Sequence, residues 1–440
     1  MSQAKFSRSD RWIILLFGLT YMFNYIDRTI VSVLAEAIRN DLRLSDLELG
    51  LLGGLAFSLF YAVMGVPIAR LAERRSRVKI IAVVTALWSL MTMLSGAAGN
   101  FWHLLLCRMG VGVGEAGFTP ALVSYVSDRF SAARAAAAYS LIALGTMAGG
   151  ATAAIVGGWI AANYGWRVAF VAVGLPGLLL AALIWFTIPE PERTGQAADQ
   201  SPPPFMAVVR HLLRSPAFML LTAGSASVNV VGFGLTLFLI PLLVRVHGFD
   251  LQQAGLAFAI CFSLGSALGT LTGGLTAARL GERDVRWFAW APALLLCVGL
   301  PAYLAAIYQE DWRVLLGLMF VASFTLVAFL PTIMTTTQRL VESRMRASTA
   351  ALHTFGVIAL GLGTGVTLLG YLSDRFAAAH YGPDYESCLQ VAADAQSAAC
   401  TAASAAGLQQ GMFAVGAFLL LSIMLFALAG RTLRRELKDR

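Results

Sequence analysis

Apolar residues run along this chain for about twenty positions at a time, separated by short polar segments that are mostly basic. A helix needs roughly 20 apolar residues to cross the ~30 Å hydrocarbon core of a bilayer. Twelve runs reach that length: 12–34, 47–68, 80–98, 103–126, 136–162, 168–188, 217–244, 253–278, 287–308, 314–334, 348–372 and 411–430. A membrane barrel would instead show strands of about ten residues with alternating polarity. The pattern therefore predicts an all-α membrane protein of twelve transmembrane helices, each satisfying its own backbone. The first run follows the polar, basic residues 1–11 and lacks a small-residue cleavage site, so it reads as a retained helix.

Composition sharpens this reading. The 440 residues are 58% hydrophobic and 13% charged, about half the charged share of a soluble domain. That excludes a soluble enzyme, a disordered chain and a disulfide scaffold. The net charge of +8 would suit nucleic acid, but its distribution does not. With the N-terminus inside, the inside segments carry twenty-four Lys and Arg against six outside, with Arg28 and Arg108 inside runs. Basic residues gather in cytoplasmic loops. The bias predicts both termini in the cytoplasm and a multi-pass protein, of the inner membrane if bacterial, with no nucleic-acid partner.

Five cysteines occur. Cys107, Cys261 and Cys297 lie in apolar runs and read as packing residues. Cys388 and Cys400 flank a polar, Ala-rich segment placed outside, where an oxidising compartment permits a disulfide.

Residues 189–216 hold Pro-Glu-Pro-Glu and Ser-Pro-Pro-Pro and read as a cytoplasmic linker. Six runs precede it (1–188) and six follow (217–440), each set forming a six-helix bundle. The halves repeat. Arg70-Leu71-Ala72-Glu73-Arg74-Arg75-Ser76-Arg77 returns as Arg279-Leu280-Gly281-Glu282-Arg283-Asp284-Val285-Arg286 at an offset of 209. The fifth and eleventh runs match at 212, through Arg134 and Arg346, Gly149 and Gly361, Gly158 and Gly370. Internal repeats of this kind mark secondary transporters, whose substrate site lies where the repeats meet.

Only Asp27 and Glu115, of 24 acidic residues, fall well inside a run. An ionisable group at that depth is costly and is read as functional. Each has an arginine in its own run. Arg28 adjoins Asp27, and Arg108 precedes Glu115 by seven residues, two turns and about 10 Å along one helix face. Burial and a neighbouring arginine act on a carboxyl in opposite directions, so an acid between the two can exchange a proton during transport. Asp27 and Glu115 are therefore proton-coupling candidates. Arg28 and Arg108 offer planar donors for an anionic head group, with Asn24 and, in the second half, Asn229 as further substrate-binding candidates. The competing reading is a fixed Asp27–Arg108 salt bridge that only holds the fold. The second half has no acid inside a run. Its apolar wall suits an amphipathic substrate, and His353 reads as packing rather than a proton relay.

Twelve helices in two halves, with the basic loop after the second run echoed after the eighth, resemble the major facilitator superfamily. The family's loop motif is G-x-L-A-D-R-x-G-R-[KR]. Leu71, Ala72, Arg74 and Arg77 match it, while Ala69, Glu73 and Ser76 depart from it. The resemblance implies that Glu73, Arg74 and Arg77, with Asp128 as a partner, close a cytoplasmic gate. Asn24-Tyr25-Ile26-Asp27-Arg28, Arg108-x-x-x-Gly112-x-Gly114-Glu115-Ala116-Gly117 and Gly165-Trp166-Arg167 resemble the Spinster-like branch, which carries sphingolipids and lysophospholipids. N-Y-x-D-R is also similar to the organic-anion symporters, so a sugar acid or a drug stays open as substrate.

The resulting expectation is a proton-coupled, monomeric secondary transporter working by rocker-switch alternating access on an anionic, lipid-like substrate. No catalytic residues, cofactor or metal are expected. A receptor or enzyme is the alternative of another class. The chain lacks G-x-x-x-x-G-K-[ST], against an ATP-driven pump, and H-E-x-x-H, against a zinc hydrolase.

Overall fold

The computed structural model describes residues 6–192, 205–281, 283–342, 345–391 and 395–438. Among them, every regular element is a helix. Twelve long stretches account for the chain: α1 (Arg8–Leu42), α2 (46–74), α3 (Arg77–Ser95), α4 (101–129), α5 (132–164), α6 (Trp166–Thr187), α7 (Pro216–His247), α8 (251–281), α9 (Trp287–Ile307), α10 (312–339), α11 (346–381) and α12 (398–438). Each apolar run maps onto one of them. Most helices outrun the apolar stretch that signalled them, because caps and polar turns extend them. Ser7 and Asp10 cap α1 reciprocally, and a capping box at Ser45 and Glu48 opens α2. The 35 residues of α1 span about 52 Å, well beyond a hydrocarbon core. The start of α12 lies 13 residues before the expected run. Residues 398–410, ahead of the expected run, are helical, since alanine favours helix and the Ser397 hydroxyl accepts from the Cys400 N–H.

Ten helical stretches among the described residues are long and apolar enough to cross a membrane. The other two are α1, diluted by Asn24, Asp27 and Arg28, and α4, interrupted at Gly117. Pro120 explains that break, since it has no N–H to donate back to Ala116. Outward faces are apolar: Leu106, Leu144 and Phe186 are exposed.

Four helices contain a π turn: α2 at Leu51–Leu55, α5 at Ala153–Gly157, α8 at Ala259–Leu264 and α11 at Ile358–Gly365. These are the two pairs, second with eighth and fifth with eleventh, that the sequence repeat relates. A π turn inserts one residue and so rotates the rest of the helix by about 100°.

The chain folds into two compact units. The first comprises residues 1–38, 56–195 and 250–255; the second comprises 39–55, 196–249 and 256–440. In the first, α3 packs along α6 and α4. Gly114 seats against the Trp88 backbone, and Gly174 and Gly177 against Ser89. In the second, residues 46–55 pack on α11, and α7 packs along α12. The expected plain linker contains a helix, Phe205–Leu213, in the second unit. Its Val208 and Leu212 are buried while Phe205, Met206 and Leu213 stay exposed. Apolar residues at helical spacing override the proline-rich flank there.

Candidate functional site

Three charged clusters stand out, two in the first unit and one in the second. The first joins α1, α2, α3 and α4. The Arg28 Nε donates to Glu115 Oε2 at 2.5 Å, with the Glu115 side chain fully buried and that of Arg28 32% exposed. Asn24, Asp27 and Arg108 are buried beside them. Arg108 lies within electrostatic reach of both Glu115 and Asp27, and Thr92 of α3 is beside Asp27. Among the described residues, neither Arg108 nor Asp27 forms an ion pair. Arg108 Nε and Nη1, Asp27 Oδ1, Glu115 Oε1 and the Asn24 amide nitrogen have no hydrogen-bond partner. The fixed Asp27–Arg108 bridge is thus not formed, and the pair that does form is Arg28–Glu115. Seven-residue spacing explains this: Arg108 and Glu115 share a face but are two turns apart, so Glu115 meets an arginine from another helix.

Aromatic rings supply the rest of the lining. Phe57 and Tyr61, one turn apart on α2, stack at 5.5 Å and 26°. The Arg28 guanidinium lies 5.3 Å from the Phe57 centroid and 5.0 Å from that of Tyr61; Arg108 lies 5.6 Å from Phe57. Phe118, just past the α4 break, contacts Tyr21 and Trp88 edge-on. No sequence signal singled out Phe57 or Tyr61, since an aromatic in an apolar run reads as core.

The second cluster lies at the start of α3. The buried Arg77 pairs with Asp128. It also donates from Nε to Glu190 at 2.9 Å and from Nη2 to the Pro191 carbonyl at 3.1 Å. Glu190 in turn caps α3, accepting from the Ser76 hydroxyl at 2.6 Å and from the Arg77 and Val78 N–H groups at 3.1 and 3.0 Å. Burial pushes the Glu190 carboxyl up, but the Ser76 hydroxyl, the Val78 N–H and Arg77 outweigh it and hold it below the usual range. Glu190 belongs to the proline-rich stretch read as linker, which hid it. Arg129 pairs with Asp10 at 2.9 Å. Arg74 is exposed. The Glu73 side chain and residue Glu282 lie outside the described residues.

The third cluster, in the second unit, was not anticipated. Arg245, at the end of α7, grips Asp46 with two hydrogen bonds of 2.7 Å. Ser373 donates to the same carboxylate at 2.6 Å, and Arg39 Nε lies 3.4 Å from it. Asp374 of α11 accepts from the N–H groups of Asp46 and Leu47 at 3.1 and 2.8 Å, holding the positive end of the α2 helix dipole. Ser404 of α12 accepts from Arg39 and Arg245. Gly370 lets α11 approach the Asp46 carbonyl directly. Tyr385 is buried against this group, in the segment closed by the Cys388–Cys400 disulfide, which is formed. Both α1 and α2 begin in one unit and end in the other. Arg39 is seven positions from Asp46 in sequence, but Arg245, Ser373 and Asp374 are 199 to 328 positions away.

Asn229 belongs to the second unit, where its amide donates to the Ser225 carbonyl and its stem lies against Gly361. His353 is buried and shares a hydrogen bond with Thr222 at 3.0 Å. Among the described residues, no three metal-ligating side chains come together.

Comparison with known proteins gives the following. The family model described as Major Facilitator Superfamily matches residues 17–366. An "MFS-type efflux pump" of Mycolicibacterium smegmatis is 36% identical over 81% of this chain and 83% of its own length. A "Probable L-galactonate transporter" of Escherichia coli is 26% identical over 61% of this chain and 62% of its own. A crystal structure of a bacterial homologue of the human lysosomal transporter Spinster, inward-facing and unoccupied, superposes with a TM-score of 0.90 at 31% identity, covering 98% of this chain and 99% of the other.

Proposed function

The chain belongs to the Major Facilitator Superfamily and is Spinster-like in fold, a multi-pass membrane transporter and not an enzyme; from this premise we propose that it couples protons to the movement of an anionic amphipath by rocker-switch alternating access. The observation that carries the reading is the Arg28–Glu115 pair, with Glu115 sealed in protein and Arg28 partly open. Substrate and the Glu115 carboxylate then compete for one guanidinium. An anionic head group draws Arg28 off Glu115, and the released carboxylate takes a proton. Loss of the proton returns Arg28 and expels the anion. Arg108, charged at any working pH and bound to neither acid, stabilises whichever of Asp27 and Glu115 is ionised. The apolar surroundings, rich in Phe, Tyr and Trp, suit a hydrocarbon chain next to the acidic head.

In this proposal both termini are cytoplasmic, as the basic-residue bias supports, and the protein works as a monomer in the inner membrane of a bacterium. The Arg77–Asp128–Glu190 cluster then faces the cytoplasm and the Asp46–Arg245 cluster faces outward. A second reading, a sugar-acid symporter, is favoured by the galactonate-transporter relative. The test is binding of purified protein to lysophospholipids, sugar acids and hydrophobic drugs, followed by thermal shift, repeated in Arg28→Ala and Arg108→Ala. Stabilisation by the acidic lipid, lost in both variants, is the expected result. Stabilisation by a sugar acid alone selects the second reading. Proton-driven transport that survives both Asp27→Asn and Glu115→Gln overturns the coupling mechanism.

A further inference from the structure

We propose that Phe57 is a positioning residue of the substrate site, whose ring holds the Arg28 and Arg108 guanidinia together so that both can act on one anion. The inference rests on the anion reading above and goes beyond it in naming what organises the arginines.

Backbone geometry fixes where the ring can be. Gly112 of α4 lies against the Phe57 carbonyl so closely that a Cβ there would meet it at 2.6 Å. Arg108 is one turn before Gly112 on the same helix face. The crossing that seats α2 on α4 therefore also brings the Phe57 ring to Arg108. The π turn at Leu51–Leu55 immediately precedes this segment. Its extra residue sets which face of α2 Phe57 and Tyr61 occupy. Stacking on Tyr61 then fixes the plane of the ring.

The ring meets a need that nothing else nearby meets. A buried guanidinium without hydrogen-bond partners is expensive, and Arg108 has two nitrogens in that condition. The negative face of an aromatic ring attracts a cation without consuming its N–H donors. A carboxylate partner would occupy those donors; Phe57 leaves them free for a ligand. Arg28 spends its Nε on Glu115 and rests on the same ring. Two like charges near each other repel, and a shared ring between or beneath them offsets part of that repulsion. An aliphatic side chain of similar bulk would fill the space but not do this.

The experiment compares Phe57→Leu, Phe57→Tyr and Phe57→Trp with Arg28→Ala and Arg108→Ala. The probes are a monoacylglycerol phosphate and the uncharged monoacylglycerol of the same chain length. For each variant, affinity for both probes, the pH profile of transport and the melting temperature are measured. The expected result is an affinity loss of about tenfold for the phosphate probe in Phe57→Leu, the scale of a desolvated cation–π contact. Binding of the uncharged probe stays unchanged, the pH profile shifts, and Phe57→Trp or Phe57→Tyr restores the wild-type values. Phe57→Leu that binds the phosphate probe as wild type does, or that weakens both probes equally with no rescue by Trp or Tyr, overturns the proposal. If the two arginine variants also keep wild-type affinity for the phosphate probe, the anion reading itself fails. If they lose it while Phe57→Leu does not, only the role of Phe57 fails.

Discussion

Arg245→Met gives the sharpest test of the cluster around Asp46. In the wild type both carboxylate oxygens of Asp46 accept from Arg245 at 2.7 Å, and the two side chains are 1% and 6% exposed. Removing one partner of a buried pair costs about 3–5 kcal/mol, because the other charge is left uncompensated. Arg39 and Ser373 still contact Asp46, so the lower end, about 3 kcal/mol, is expected here. If the cluster closes one side of the transporter, that energy shifts the ratio of closed to open forms by about 150-fold, at 1.4 kcal/mol per tenfold. Leu44 reports this. It is 3% exposed and lies in the turn that the cluster holds down. In a background lacking the three free cysteines, Leu44→Cys should react slowly with a maleimide in the otherwise wild-type protein. With Arg245→Met its rate should rise by about two orders of magnitude. Asp46→Asn added to Arg245→Met should return most of the difference, since no buried charge is then left alone. Equal labelling in all three backgrounds, or a double variant that is merely the sum of the singles, refutes the argument.

The remaining predictions are shorter. Glu190 is held below the usual glutamate range in the fold, so it contributes stability above about pH 4.3, the free glutamate value, and loses it as the pH falls through its folded-state pKa; wild type should therefore lose more melting temperature than Glu190→Gln between about pH 6 and pH 3. Gly112→Ala should force α2 and α4 apart at the Phe57 carbonyl, at a cost of about 1–3 kcal/mol; denaturation and phosphate-probe affinity should fall together, and an unchanged affinity would separate the crossing from the site. Cys388→Ser should lower stability by about 2–3 kcal/mol, the scale for a loop of this length, and a reductant should reproduce that effect in the wild type but not in the variant.

The sequence made the helices legible because a membrane demands long apolar runs, and no other pattern of this length meets that demand. The intramembrane charges stood out for the same reason: Asp27, Arg28, Arg108 and Glu115 lie inside apolar runs, where an ionisable group is costly. Their pairing was not legible. Seven-residue spacing said only that Arg108 and Glu115 share a face, and the partner that reaches Glu115 comes from α1, 87 positions away. Phe57 was invisible, since the role proposed for it depends on the electrostatics of a ring face and not on its hydrophobicity. The partners of Asp46 on α7 and α11 were not legible, because nothing local in the sequence points to residues some 200 to 330 positions away. Glu190 was concealed by its proline neighbours, which spell linker even where the chain is pinned to α3.

The repeat bears on why one helix crossing was furnished with charge and its counterpart was not. In the second unit Gly370 faces the Asp46 carbonyl and Gly50 faces that of Val366; in the first, Gly158 faces the Leu251 carbonyl and Gly255 faces that of Ala154. The correspondences hold at two offsets, 205 for Asp46 with Leu251 and Gly50 with Gly255, and 212 for Gly158 with Gly370 and Ala154 with Val366, so the same close approach has been built twice. The side chains differ. Where one crossing has Asp46 and the Ser373-Asp374 pair, the other has Leu251 and Ala161-Ala162. Contact between small apolar residues is non-directional and yields in small steps. A carboxylate that accepts from an arginine and a serine, with a second arginine beside it, cannot yield in that way, because each partner lost leaves a buried polar atom to be satisfied. Its release requires water to replace all partners together. In the alternating mechanism proposed above, the charged crossing is expected to decide between states and the apolar one to accommodate the decision.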